Sequence, residues 1–374
     1  MSSPEIRNSL AELRQKRGLS AAALASTVGV SRQTIYAIEA GNYVPNTAVA
    51  LRLAKTLDVG VEQLFALQDD SSAPELPSEQ VRVLPGSESL QAGQPVQLCQ
   101  VDKHLVASPS SPMPWYLPSG DAIVAEAPRE RGKARVQVYD PEALQSRILI
   151  AGCDPGISIL ARHAQAAGVQ LVLAHRNSSQ ALTLLKEGWI HVAGTHLRDD
   201  ASGESNLPQI GRMFSRNSIA VISFAVWEEG IVTAVSNPKG ILQIADFSRK
   251  DVRIVNREEG AGSRLLLDTH LKRLKIAAKN VRGYDSLAAG HLPAAWQVRT
   301  GIADCCITTR AAARLFGLGF VPLVSERYDL AIRRDHLNLP SVQTLFDTLS
   351  RSSFRRELES TGGYDTSGSG QRLL

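Results

Sequence analysis

The apolar positions change period along the chain, and those changes mark out its parts. Over residues 19–42, LSAAALASTVGVSRQTIYAIEAGN, Leu24, Val28, Val30, Ile35 and Ile38 fall at helical spacing and predict two short helices closing one small core. Gly29 supplies the positive φ that the turn needs, and Ser31 is placed to cap the second helix. The amphipathic run LRLAKTLDVGVEQLF carries the helical period on to Phe65. Polar, proline-bearing QDDSSAPELPSE follows and predicts a linker over residues 69–80.

Over residues 81–145 the runs become short and β-like, as in VRVLPG, PVQLCQVDKHLVASP and DAIVAEA, broken by Pro and Gly. They predict a small β-rich segment, either a subdomain or an embellishment of the next domain. Within it, Trp115 and Tyr116 read more readily as core packing than as a pair facing a ligand or partner. From Arg147 apolar runs of strand length alternate with amphipathic helical runs: RILIAGCDP, ISILARHAQAAG, VQLVLAHRNS, SQALTLLKEGW, IHVAGTHL. That alternation predicts a parallel sheet covered by helices on both faces, with ligands outside the carboxyl ends of the strands. The theme repeats after SIAVISFAVWEEGIVTAVS and NPKGILQIADFSRK, in VRIVNREEGAGSRLLLDTHLKRLKI. Ser263 and Arg264, after Gly260 and Gly262, open a helix there, as an anion cradle or as plain capping.

At 374 residues the chain has room for two or three domains, and its net charge of +4 decides little. Up to Lys55, however, seven bases (Arg7, Arg14, Lys16, Arg17, Arg32, Arg52, Lys55) face three acids (Glu5, Glu12, Glu39), a balance that favours DNA. No run has the apolar core of a signal peptide or the length of a membrane span, which predicts a cytoplasmic protein with no membrane partner. Cys99, Cys153, Cys305 and Cys306 lack zinc-knuckle spacing, so neither a metal nor a cofactor is expected, and Cys305 and Cys306 read as buried strand thiols. There is no nucleophile elbow, P-loop or HExxH, and the chain reads as no enzyme, although Cys153 with His196 is an imaginable nucleophile and base.

The stretch 19–42, with Tyr43, Pro45 and Asn46 after it, resembles the helix-turn-helix of the Cro and phage-repressor (XRE) regulators over about residues 5–66. The resemblance implies an all-α head over residues 1–68 that binds double-stranded operator DNA as a homodimer or higher homo-oligomer. Ser31, Arg32, Gln33, Thr34, Tyr36 and Asn42 would lie at the groove. Ala21, Ala22 and Ala23 stand where the family often has Gln and acidic residues, so one phosphate clamp is missing.

Residues 146–365 resemble the type II periplasmic-binding-protein fold, an α/β domain of two lobes joined by two antiparallel crossings. They resemble most the binding-protein-like domains fused to helix-turn-helix regulators and to molybdenum-cofactor biosynthesis proteins. The landmarks are AGCDP, AGTHL, SNPKGI, VNREEGAGSR, RGYDS, GIADCC, FVPLVSERYDLAI and GGYDTSGSG. The resemblance implies a one-component regulator with a cleft for a small anionic effector: molybdate, tungstate or a molybdenum-cofactor-related molecule. Carried over by position, the ligand set is Cys153, Asp154, Thr195, His196, Ser263, Arg264 and Tyr284. His196 reads as a neutral donor or as a charged one, and Asp154 as a helix cap or as a contact. The second lobe departs from the pattern: His291 follows Gly290 where a hydroxyl residue is usual. That leaves open a regulator of an unrelated organic metabolite, or a binding protein or enzyme of molybdenum-cofactor metabolism. The Gly/Ser-rich tail 366–374 is expected to fray.

Overall fold

The computed structural model describes residues 6–67, 78–86, 90, 95–109, 120–126, 132–141, 144, 146–199 and 203–374. They form two compact units, Met1–Glu75 and Leu76–Leu374. Most of the linker, and Trp115 and Tyr116, lie outside the described residues.

In the first unit the two-stranded ribbon β1 (Ile6–Asn8) and β2 (Phe65–Leu67) closes off five helices. These are α1 (Leu10–Lys16), α2 (Ala21–Val28), α3 (Arg32–Glu39), α4 (Thr47–Leu57) and α5 (Val61–Leu64). Each start is built by local chemistry: Ser20, Ser31 and Asn46 accept from the amides of Ala23, Thr34 and Val49, satisfying donors the helix cannot. Gly29 takes the left-handed turn at φ 75. Leu24, Val28, Ile35 and Ile38 meet Leu10, Leu53 and Leu57 in one core, with Val30 partly buried at its edge. Arg14 clamps α1 to α3 by donating to both oxygens of Glu39, at 2.6 and 3.1 Å.

The second unit begins with a closed five-stranded barrel, β3 (Ser78–Val83), β4 (Pro95–Val101), β5 (His104–Pro109), β6 (Ala122–Glu126) and β7 (Lys133–Val138), in the order β3-β5-β4-β6-β7. The linker therefore ends sooner than expected: Ser78, Glu79 and Gln80 already pair with β7, the contact that closes the barrel. The barrel has its own core, including Val81, Val96, Leu98, Val124 and Val136. It is also part of the larger domain, because Leu84, Cys99, Val101 and Val106 pack with Leu149, Ala151 and Val172. Arg147 pairs with Asp121, and Asp102 receives Arg333 at 3.0 Å and His336 at 2.9 Å.

The remaining strands are β8 (Arg147–Gly152), β9 (Gln170–His175), β10 (Val192–Thr195), β11 (Ile219–Thr233), β12 (Ile254–Arg257), β13 (Leu287–Ala288), β14 (Cys305–Thr309), β15 (Gly319–Arg333) and β16 (Tyr364–Asp365). They form one nine-stranded sheet in the order β13-β12-β14-β11-β15-β10-β8-β9, with β16 on β11. The helices are α6 (Ile157–Gln165), α7 (Ser178–Lys186), α8 (Leu207–Met213), α9 (Gly262–Arg273), α10 (His291–Arg299), α11 (Arg310–Leu315), α12 (Pro340–Ser350) and α13 (Ser352–Ser360).

Parallel pairs β8–β9 and β8–β10 make one lobe, and β12–β13 and β12–β14 the other. Strands β11 and β15, 15 residues each and antiparallel along their length, cross between the lobes. Their register shifts between Ser223 and Ala225, and again between Glu229 and Gly230. The tail 366–374 does not fray. Beyond Trp227 β14 no longer reaches β11, and the tail takes up the exposed edge through Ser223 N to Gln371 O at 2.9 Å and Leu373 N to Val221 O at 2.8 Å.

Candidate functional site

In the head, Arg32, Gln33 and Tyr36 of α3 are exposed, as are Ser31 and Asn42 at either side of it, while Thr34 is half-buried. Arg32 donates to Tyr36 OH at 2.9 and 3.2 Å and lies 5.2 Å from the ring centroid. Ser31 Oγ accepts from the Thr34 amide at 3.0 Å, so these two hydroxyl residues define the helix start. The surface offers long donor side chains on a short helix capped by Ser31.

In the second unit, strand ends and helix starts from both lobes meet at the crossing strands. Cys153 and Asp154 follow β8, and His196 follows β10. Arg257 ends β12, Ser263 lies in the first turn of α9, and His291 opens α10. Trp227 and Glu229 from β11 and Glu326 and Tyr328 from β15 complete the group. All ten side chains are buried.

Seven hydrogen bonds and two ring contacts set the geometry. His196 Nδ1 lies 2.9 Å from Glu326, and His291 Nδ1 lies 3.0 Å from Thr308 Oγ1. Tyr328 OH accepts from the amides of Cys153 at 3.2 Å and Asp154 at 3.5 Å, fixing the turn after β8. Asp154 Oδ1 accepts from Gly156 N and Tyr364 OH, both at 2.6 Å, and Ser263 donates to Glu229. Trp227 lies edge-on to both imidazoles, at 4.7 Å from His196 and 5.0 Å from His291.

Among the described residues, six buried polar atoms in this group have no hydrogen-bond partner: Asp154 Oδ2, His196 Nε2, Trp227 Nε1, Glu229 Oε2, Arg257 Nη1 and His291 Nε2. Buried polar atoms are paired in nearly all native proteins, so a cluster of unpaired ones calls for partners such as ordered water, an ion or a ligand. The charges are correspondingly perturbed. Burial raises Asp154 to about 6, and burial with the charge of Glu326 raises Glu229. Burial opposes a charge on His196, but Cys153 and Glu326 outweigh it and push His196 well up. Burial, then the charges of Arg257 and His196, hold His291 well down and neutral.

Cavities flank the group. One of about 410 Å³ is lined by Arg198, Arg212, Arg264, Glu259 and Asp268, and one of about 300 Å³ reaches Gly262 and Glu326. A third, of about 590 Å³, is bounded by Gly156, Arg314 and Tyr364.

A helix-turn-helix family model matches residues 10–64, and a model described as a PBP superfamily domain matches residues 161–350, just over half of the 374 residues. The chain belongs to the PBP superfamily. The uncharacterized protein YvgK of Bacillus subtilis is 30% identical to this PBP-superfamily protein over 250 residues, 67% of this chain and 79% of the relative. The HTH-type transcriptional regulator YgzD of the same organism is 41% identical over 66 residues, 18% of this chain and all of the relative. Among solved structures, the sulfate-binding protein SubI from Mycobacterium tuberculosis H37Rv aligns over 59% of this chain and 86% of its own, at TM-score 0.43 and 16% identity.

The PBP-superfamily domain divides the residues singled out from the sequence into two groups. Cys153, Asp154, His196 and Ser263 converge in the buried group. Thr195 turns away to donate to Asn206 at 3.3 Å, and Asn206 in turn donates to Asp329. Arg264 and Tyr284 do not join Ser263: Arg264 stacks 4.1 Å over the Tyr284 ring, and both bond Asp268. Successive helical residues point about 100° apart, so a buried Ser263 sends Arg264 outward. Nor is Ser263 a cap, since the residue before α9 is Ala261 and the serine bonds Glu229.

Sequence reasoning missed Trp227, Glu229, Arg257, Glu326 and Tyr328, and treated His291 as a departure rather than a member. The signals were there: Glu229 and Glu326 are acids in apolar strands, and His291 opens its helix after Gly290 much as His196 follows Thr195.

Proposed function

We propose that this PBP-superfamily protein is a one-component transcriptional regulator. Its head binds operator DNA as a homodimer in the cytoplasm, and a small effector binds between the lobes of the second unit. The observation that carries the reading is the set of six unpartnered polar atoms between the lobes, joined in one chain to a helix-turn-helix head. An effector that pairs those atoms binds the closed lobes more tightly than open ones, and it shifts the operator-binding population by no more than that difference in affinity.

The atoms also narrow the effector. Arg257 Nη1 and Trp227 Nε1 offer donors to an anionic group, Asp154 Oδ2 calls for a donor, and Glu229, its pKa raised to about 8, can donate while protonated. A bare molybdate or tungstate dianion carries no donor for Asp154 Oδ2 and would meet the Glu326 charge that adds to burial in raising Glu229, so an organic anion carrying its own donor groups fits better.

The test is thermal unfolding against a panel of molybdate, tungstate, sulfate, phosphate, amino acids and heterocyclic organic anions, followed by operator mobility shift with each hit. Saturating effector raises the melting temperature by mass action. Organic anions should raise it and change operator affinity; a response to molybdate and tungstate alone would restore the oxyanion, and none from any compound would refute the effector site.

A further inference from the structure

The unpartnered atoms include one that two imidazoles share in kind. His196 Nδ1 is held by Glu326 and His291 Nδ1 by Thr308, so on each ring Nε2 is the nitrogen left over. Cys153 stands with them: a ligand atom from each of Cys153, His196 and His291 lies within 4.8 Å of the other two. All three residues are buried, at 3%, 1% and 1% exposure.

We propose that Cys153, His196 and His291 form a binding site for a zinc-class transition-metal ion. A thiol and two imidazoles are the soft and borderline ligands that such ions select. At bond lengths of about 2.3 Å to sulfur and about 2.0 Å to nitrogen, tetrahedral ligand atoms stand roughly 3.5 Å apart, so from within 4.8 Å of one another the three need to draw in by little more than an ångström at most. The carboxylate of Glu326 and the hydroxyl of Thr308 behind the rings are the outer partners that orient metal-bound histidines. The two rings come from different lobes, and the thiol from the turn that Tyr328 fixes, so binding the ion ties the lobes together. Three protein ligands leave a fourth position open, where an anionic group of the effector would complete the tetrahedron. This last step rests on the regulator reading; the metal site itself does not.

Co²⁺ alone, titrated into the full chain, reads the site directly. One Co²⁺ per chain should bind with intense visible bands and a thiolate charge-transfer band, both erased by stoichiometric Zn²⁺. Cys153→Ser should lose the charge-transfer band, and His291→Gln should weaken Co²⁺ binding at least tenfold. Arg264→Ala, which alters the outer cavity, should leave the spectrum unchanged. Circular dichroism checks folding, and His196→Gln replaces any variant that fails it. A folded wild-type chain with no cobalt spectrum, or a charge-transfer band that survives Cys153→Ser, overturns the site. A melting shift with organic anions but no cobalt spectrum overturns the metal while leaving the regulator in place. Cobalt binding with no effector response from any panel compound supports the metal and refutes the effector reading.

Discussion

Tyr328 offers a clean test of how the buried group is held. Its hydroxyl serves two amides at once, Cys153 N and Asp154 N, at the turn that carries two of the site residues. Tyr328→Phe leaves both amides buried and unpaired, at a cost of roughly 1–3 kcal/mol. Gly152 explains why no side chain stands beside that hydroxyl: a Cβ there would lie 2.2 Å from Tyr328 OH, and the next nearest atom is the flexible Ile157 Cδ1 at 3.1 Å. The ring cannot yield, since Trp227 at 5.2 Å, Phe224 at 5.8 Å and His196 at 5.9 Å surround it. Gly152 is not among the positive-φ glycines, so Ala introduces no backbone strain.

Gly152→Ala therefore meets the hydroxyl first, with Ile157 Cδ1 at 3.1 Å and the backbone Gly194 Cα at 3.3 Å as smaller obstacles, and should cost about 1–3 kcal/mol for overpacking plus a similar amount for the displaced amide bonds. In the double variant the hydroxyl clash is gone and only the Ile157 and Gly194 contacts remain. Gly152→Ala/Tyr328→Phe should be little less stable than Tyr328→Phe alone, a coupling equal to most of the roughly 2–6 kcal/mol that Gly152→Ala costs by itself. Chemical denaturation followed by Trp fluorescence, with buried Trp227 as the near reporter, measures all three. Additivity within about 0.5 kcal/mol would refute the argument, because two independent sites behave that way.

Arg32→Ala should weaken operator binding by about 1–3 kcal/mol in a fluorescence anisotropy titration and leave the melting temperature unchanged, since its partner among the described residues is the exposed Tyr36. Acid should loosen the second unit through His191. Its Nδ1 accepts from Leu149 N at 3.1 Å, and burial, then the charge of His336, hold the folded pKa at about 4 against 6.5 unfolded. The unfolded chain takes up the proton first, so stability is full above pH 6.5 and falls by about 3 kcal/mol as pH drops to 4. Denaturant midpoints across that range should show the loss, and His191→Gln should remove the share that belongs to His191, leaving that of His175 and His291, whose folded pKa values are also held down. Truncation after Gly363 should cost roughly 2–6 kcal/mol, from four backbone bonds between the tail and β11 at about 0.5–1.5 kcal/mol each, and should free Asp154 from Tyr364. An unchanged melting temperature would return the tail to the frayed state expected from its composition. Sedimentation of the full chain should show a dimer at micromolar concentration; monomer alone, with and without DNA, would rule out the homodimer.

By itself the sequence determined what neighbours along the chain decide. Gly29 and Ser31 set the turn and cap of the head because αL geometry and an orphan amide three residues on are local matters. The alternation of strand and helix runs after Arg147 was legible for the same reason, and the landmark motifs placed Cys153, Asp154, His196 and Ser263 at strand and helix ends. Tertiary structure alone decided which of those residues meet. His196 reaches Glu326 across 130 positions and Cys153 reaches Tyr328 across 175, through the registers of β10 and β8 against the long crossing strands. Closure of the barrel by Ser78–Gln80, docking of the tail on β11, and the turning outward of Arg264 likewise depend on packing partners far away in sequence. A single residue's pattern holds no record of such partners, because register and burial are set by both strands at once.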